Sequence, residues 1–414
     1  MLPAEAAETL ILDLVQPLDP ERHTEQLELT AANGRILAAP ITGQLDFPHW
    51  DNSAMDGYAV RYTDVQHCSA EQPVTLHMIE EIPAGNVPQK TVEAGQAARI
   101  LTGSIMPAGA DTIVIQEDTK RSGDQVTILA APKPQAFVRH RAEYYQAGAP
   151  VLNAGIRLAA ADIAVLATVQ RQQVPVYRRP RVAILSTGNE LVRIDQSLQA
   201  GQIVDSNQYA LAALVADAAA EAIPLGIVPD DPDAIQQTIS HAISIADLVL
   251  SSGGVSVGDY DYVDRILAEL GAEIHIRAVA VKPGKPLTVA TFKGSQAESA
   301  SVLYFGLPGN PASALVTFWR FVQPALRKLS GLSTGWEPTF VQGRTLQDLR
   351  SDGKRETYLW GRASLMQGKF EFQLAGGSHS SGNLINLAQT NALAVLPIGQ
   401  TWRAAGEEIR IMLV

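Results

Sequence analysis

A single cysteine, Cys68, occurs in 414 residues. A lone thiol closes no internal disulfide and builds no sulfur-rich metal site, so a disulfide scaffold and a zinc ribbon are excluded. Cys68 reads as a small, partly buried residue rather than a nucleophile. Positive charge is also scarce: 32 lysines and arginines against 43 acids leave a net charge of -11. No basic face is offered to nucleic acid or to an anionic membrane, and any anionic ligand must be held by local lysines and backbone amides. No window approaches the roughly 20 unbroken apolar residues of a membrane span. The opening stretch, MLPAEAAETLILDLV, has acids where a secretory signal needs lysine or arginine, and Asp13 interrupts its apolar run. The expected location is cytoplasmic. The eight histidines are scattered without zinc-ligand spacing.

What is present describes a soluble chain, 46% hydrophobic and 18% charged, of several domains. Residues 4–17 read as an amphipathic helix, and TAANGRILAAP predicts a second helix starting at Thr30 and ending at a proline. From 41 to 145, short β-branched runs alternate with Pro, Gly and Asp, the texture of a β-rich domain. The alanine-rich stretch 146–178 predicts helix again. Together with 1–40 it makes an elongated helical N-terminal domain into which the β-rich domain is inserted. Residues 179–330 alternate apolar strands with amphipathic helices, RVAILSTG first and then a helix that Ser206 is placed to cap. This predicts a doubly wound, mostly parallel α/β sheet domain. Residues 336–414 hold only short strand-like runs and predict a small C-terminal β-barrel-like domain.

Ligands of open parallel sheets bind at the carboxyl ends of the strands. In the α/β region those ends carry Ser186, Thr187, Gly188 and Glu190; then Asp230; then Gly253, Gly254 and Ser256, followed by Asp259 and Asp261; then Pro308, Gly309 and Asn310. Any one of these loops is an ordinary helix start or strand exit. Four together, each offering carboxylates or glycine-bared backbone, point to a site that handles a phosphate with a metal. Asn310 and Pro311 suit a helix start whose free amides favour an anion. Lys282 and Lys285 flank a Pro–Gly turn and could hold a tetrahedral oxyanion. In the β-rich region DNSAMDGYAVR places Asp51 and Asp56 among small residues, and RILTGSIMPAGADTIV places Thr102 beside Gly103. Asp51 reads as a turn former, Asp56 as part of a ligand-facing loop.

Taken in order, DNSAMDGYAVR, RILTGSIMPAGADTIV, STGNEL, DSN, DDP, SSGGVSVGDYDYV, KPGKP and GLPGNPASALVTF resemble the MoeA/gephyrin family of molybdopterin molybdenumtransferases. The resemblance runs along nearly the whole chain. It implies insertion of molybdate into adenylylated molybdopterin, with magnesium-dependent release of AMP. It implies that Glu190, Asp230 and Asp261 organise Mg2+, that Lys282 and Lys285 bind molybdate or the departing phosphate, and that the strand-end glycines and Pro308–Asn310 cradle the pterin phosphate. Asp56, Thr102 and Ser378 are then cleft residues. A homodimer is expected, with the molybdopterin adenylyltransferase as a protein partner. The alternatives are that adenylyltransferase activity itself, or a gephyrin-like scaffold. The chain departs from the family pattern at Ala278, with Arg277 beside it; at Trp360, with Arg362 two residues on; and at Ala142, Glu143 and Tyr144.

Overall fold

The computed structural model describes residues 1–253, 260–293 and 301–414, and of residues 260–262 the backbone alone. The chain forms two compact units, one of Met1–Ala39, Ala154–Ala160 and Gln173–Val414, the other of Pro40–Asn153 and Ala161–Gln172.

The larger unit is built on a six-stranded sheet. Its order is Glu221–Val228, Arg181–Thr187, Leu248–Ser252, Val302–Leu307, Pro286–Phe292 and Ala272–Ala278. The first four strands are parallel, Pro286–Phe292 runs against them, and Ala272–Ala278 runs against Pro286–Phe292 in turn. The uninterrupted apolar run of RVAIL follows from burial on both faces. Val182 and Ile184 join a core with Leu211 and Val215 of helix Ser206–Asp217, Val316 of helix Pro311–Thr317 and Ile11 of helix Ala4–Leu14. Ala183 and Leu185 face the other way, onto Ile235 and Ile239 of helix Pro232–Ile245 and Ile266 of helix Tyr260–Glu269. Layers on both faces leave only the strand ends accessible, and the parallel strands all end on one side.

The C-terminal part of this unit closes on itself. Strand Glu356–Met366 pairs with Lys369–Leu374 and with Ala392–Leu396, and Phe340–Thr345 and Glu408–Leu413 complete a five-stranded ring. A two-residue strand, Val281–Lys282, adds to Glu356 and Thr357 outside the ring. Between the ring and the N-terminal helix, the buried Arg320 pairs with Glu8 at 2.7 Å and donates to the Tyr358 hydroxyl at 2.8 Å.

The smaller unit carries a second six-stranded sheet, of order Thr112–Ile115, Gly57–Val60, Gln96–Ile100, Val74–Ile82, Gln125–Ile128 and Thr119–Ser122. Tyr58 and Val60 pack on one face, Ala59 on the other.

Helix content outside the α/β region is lower than expected. The helix predicted from Thr30 is a single tight turn, Leu29–Ala31. Gly34 then takes a left-handed φ of +77°, and Ile36 and Leu37 run extended in bridges to Arg157 and Val176. Of 146–178 only Ala160–Thr168 is helical. Strands Pro150–Leu152 and Gln173–Tyr177 take the rest of the ordered backbone, since Pro150 and Pro175 cannot donate within a helix and Gly155 sits at φ +79°.

Candidate active site

The sheet register brings the expected loops to one edge. Ser186 lies opposite Ser252, and Ser252 opposite Leu307, so Thr187, Gly253 and Pro308 follow side by side where the strands end. The approach is close. A Cβ on Gly253, which has φ +95°, would lie 2.2 Å from the Thr187 carbonyl oxygen, and one on Gly309 would lie 3.4 Å from the Gly253 Cα. Only glycine at 253 allows this rim.

Two further contacts stitch the rim. The buried Asn207 side-chain amide donates to Ser252 Oγ at 2.6 Å and to the Gly309 carbonyl at 2.8 Å. The Asn189 amide donates to Asp230 Oδ2 and the Asp230 amide to Asn189 Oδ1, both at 3.1 Å, joining the first and second loops. Glu190 folds back over Gly188, its Oε2 2.8 Å from where a Cβ on that glycine would lie.

Polar groups are left unsatisfied here. Ser186 Oγ, Thr187 Oγ1 and Asn207 Oδ1 are all buried without a hydrogen-bond partner among the described residues. Buried polar atoms normally find partners, so three orphans on one rim mark a place where a polar ligand belongs. Beneath them the Ser251 and Tyr304 hydroxyls lie 2.6 Å apart, and burial pushes the Tyr304 phenol up to about 12. It stays protonated, a fixed part of the floor.

Gly254, Ser256 and Asp259 lie outside the described residues, as does the Asp261 side chain, although the Asp261 backbone belongs to helix Tyr260–Glu269. Among the described residues no three His, Cys, Asp or Glu side chains form a metal-sized cluster. Glu190 and Asp230 are thus the described carboxylates of the expected magnesium set.

The lysine loop packs against helix Pro311–Thr317: a Cβ on Gly284, at φ +109°, would meet Thr317 Cγ2 at 2.5 Å. Lys282 Nζ donates to Asp352 Oδ2 at 2.9 Å. That contact holds the Asp352 carboxyl below its ordinary range, helped by the Lys354 amide. Lys285 is exposed and has no ion-pair or hydrogen-bond partner for its ammonium among the described residues.

Asn310, whose residue type also suits a side-chain cap, stands at the expected start of helix Pro311–Thr317 without capping it. Its Nδ2 donates instead to Ser381 Oγ at 3.1 Å. The Ala312 amide is also taken, by the Ser381 carbonyl at 3.1 Å. These amides are therefore not all free for an anion. The serine loop 376–383 reaches the helix start through Ser381, whereas Ser378 is exposed and its carbonyl accepts from Asn383 and Asn386.

In the smaller unit, Asp56 Oδ1 accepts from both the amide and the hydroxyl of Thr102, each at 2.7 Å. The amide first and the hydroxyl second hold the Asp56 carboxyl below its ordinary range. Asp51 is a structural tie instead. Its carboxylate accepts from the Arg141 amide at 2.7 Å and its carbonyl from the Met106 amide at 2.9 Å, which joins three loops.

Comparison with known proteins turns this geometry into a family. Residues 2–170 match the family model described as "MoeA N-terminal region (domain I and II)", residues 183–328 "Probable molybdopterin binding domain", and residues 342–414 "MoeA C-terminal region (domain IV)". A molybdopterin molybdenumtransferase of Nostoc is 62% identical over 97% of this chain and 92% of its own. One of Haemophilus influenzae is 35% identical over 94% and 93%. The crystal structure of a molybdopterin biosynthesis MoeA protein from Pyrococcus horikoshii aligns with a TM-score of 0.83 at 30% identity, both chains covered in full. The chain belongs to the MoeA family of molybdopterin molybdenumtransferases.

Within this MoeA-family chain, sequence reasoning missed Asn207 as a site residue, although DSN contains it, and placed the helix cap one residue late. Asp205, not Ser206, caps the helix by accepting from the Gln208 amide at 3.2 Å. Several of the departures from the MoeA pattern have definite places in the structure. Trp360 is buried, donates to Asn386 Oδ1 at 3.0 Å and packs at a tilt against His379, ring centroids 4.6 Å apart, so it braces the serine loop. Arg362 Nε donates to the Gln389 carbonyl at 3.3 Å. Arg277 is engaged by Asp264 at 2.6 Å. Ala142 adopts a left-handed φ of +64°, and Tyr144 stands exposed 6.0 Å from the Phe47 ring.

Proposed function

We propose that this chain inserts molybdate into adenylylated molybdopterin and releases AMP in a magnesium-dependent step. The MoeA family places it in molybdenum cofactor biosynthesis as a transferase. One observation carries the finer reading: three buried polar atoms of Ser186, Thr187 and Asn207, without partners among the described residues, sit beside glycines that bare the backbone of one rim. The polar substrate satisfies those atoms, and the rim fixes its pyrophosphate.

The donor set fits magnesium. Glu190 and Asp230 offer exposed carboxylate oxygens from adjacent loops, the ligand type a hard cation prefers, and the resemblance names Asp261 as a third. When bound, the ion offsets charge on the phosphate of the departing AMP. Lys282 and Lys285 hold the oxyanion electrostatically. The thiolates that capture molybdenum come from the pterin, which suits a chain whose one cysteine is buried, its thiol pushed up by desolvation. Asp56 and Thr102 form a rigid bracket that orients substrate. The reading includes a cytoplasmic homodimer that receives its substrate from the adenylyltransferase. An adenylyltransferase reading leaves residues 2–170 and 342–414, both matched by MoeA models, without work.

The test is incubation of the chain with adenylylated molybdopterin, Mg2+ and molybdate. AMP release that depends on molybdate is expected; AMP release at the same rate without molybdate, or none with it, overturns the proposal.

A further inference from the structure

The two lysines of the Pro–Gly turn are electrostatically unequal. Lys285 has no partner for its ammonium among the described residues, whereas Lys282 is engaged by Asp352 at 2.9 Å. This contact is not a chance meeting of two long side chains. Strand Val281–Lys282 runs in register with Glu356–Thr357, the Glu356 amide donates to the Ala280 carbonyl at 3.0 Å, and Arg355 Nη1 donates to the Val281 carbonyl at 3.1 Å. The turn carrying Asp352 is fixed in its own right. The Lys354 amide donates to Asp352 Oδ1 at 3.0 Å, the Gly353 amide to Ser351 Oγ at 3.0 Å, and Ser351 Oγ meets Thr357 Oγ1 at 2.7 Å. The C-terminal barrel therefore holds a carboxylate against one of the two cations assigned to the incoming oxyanion.

We propose that Asp352 is a positioning residue that acts as a resident counter-ion for Lys282 and sets the affinity of the site for oxyanions. This rests on the reading that Lys282 and Lys285 bind molybdate. With Asp352 in place, Lys282 is held and its charge partly offset, and an arriving anion meets a carboxylate already sharing the ammonium. Lys285 makes the first contact. The cost of bringing the anion near Asp352 keeps it exchangeable, so that oxyanion binds loosely until the reaction consumes it. Both groups of the pair remain partly exposed, with side-chain exposures of 43% and 33%, so solvent screens the effect without removing it.

Charge scaling separates this role from a purely structural one. Asp352→Asn keeps the shape and a hydrogen-bonding oxygen but removes the negative charge. Repulsion at a given distance is proportional to the charge of the ligand, so a dianion gains twice the free energy a monoanion gains. Molybdate and perrhenate, tetrahedral oxyanions of charge −2 and −1, are the probes, titrated calorimetrically into the full-length protein. For Asp352→Asn, molybdate binding is expected to tighten about fivefold and perrhenate about twofold, the size of a partly screened charge contact. Asp352→Ser follows Asp352→Asn, and Asp352→Glu binds like the wild type. If Asp352→Asn fails to fold, Asp352→Ser decides alone. Unchanged or weaker molybdate binding in folded charge-removing variants, or an equal gain for both anions, overturns the inference and leaves the enzymatic reading standing. A wild-type chain that binds neither anion and releases no AMP overturns both.

Discussion

Replacing Gly253 by alanine tests the rim directly. The added Cβ would sit 2.2 Å from the Thr187 carbonyl oxygen and 3.1 Å from Thr187 Oγ1. Carbon and carbonyl oxygen are at ease at about 3.3 Å, so the two strand ends must part by about 1 Å. Alanine at φ +95° adds strain of about 1–3 kcal/mol. A displacement of about 1 Å in a positioning element costs on the order of 100-fold in activity. The expected result is therefore a loss of about that size in kcat/KM for molybdate-dependent AMP release, with a moderate fall in the thermal midpoint. Gly271→Ala supplies the control. Gly271 also has a left-handed φ, +82°, but its Cβ would meet nothing within 4 Å. That variant should lose about 1 kcal/mol of stability and keep its activity. Wild-type kcat/KM in Gly253→Ala would refute the claim that close approach of these strand ends builds the site.

Other expectations follow from the same geometry. Asn207→Ala removes two donated hydrogen bonds and strands the Gly309 carbonyl; a stability loss of about 1–3 kcal/mol is expected. Its KM for the pterin substrate should rise more than its kcat falls, measured by steady-state kinetics. Glu8→Ala leaves the Arg320 charge buried without its carboxylate, and chemical denaturation should show a loss of about 3–5 kcal/mol. The Asp56 carboxyl is depressed below its ordinary 3.8, so its bond to Thr102 is fully present above that value and is lost as pH falls through the lower folded value. The Thr102 amide resonance should therefore hold steady from neutral pH down to 3.8 and move only below it; a transition at higher pH contradicts the bracket.

Local chemistry explains which parts of the molecule were readable from the chain. Strand Arg181–Thr187 was legible because a parallel strand covered on both faces must be apolar throughout, and Asp231 before Pro232 announces a helix that it does cap, at 2.9 Å from the Ala234 amide. The neighbouring cap was misplaced by one residue because Asp205 and Ser206 are both good capping types. The alanines of 146–178 suggested helix, but propensity is weak beside Pro150, Gly155 and Pro175, and the paired backbone went to strands. Asn207 was opaque because its partners stand 45 and 102 positions away. Asp352 lies 70 positions from Lys282 and sits in an unremarkable polar turn, so nothing local announces it. Strand-end loops can be located from an alternating pattern; the long-range bonds that set their spacing cannot.

The short ladder between Val281–Lys282 and Glu356–Thr357 ties the C-terminal ring to the proposed oxyanion site without lending it a reactive group. The cationic turn is moored at its entry to the ring's outer rail and at its tip to helix Pro311–Thr317, through Gly284 on Thr317. The ring thus serves as a jig for charges that another part of the chain supplies.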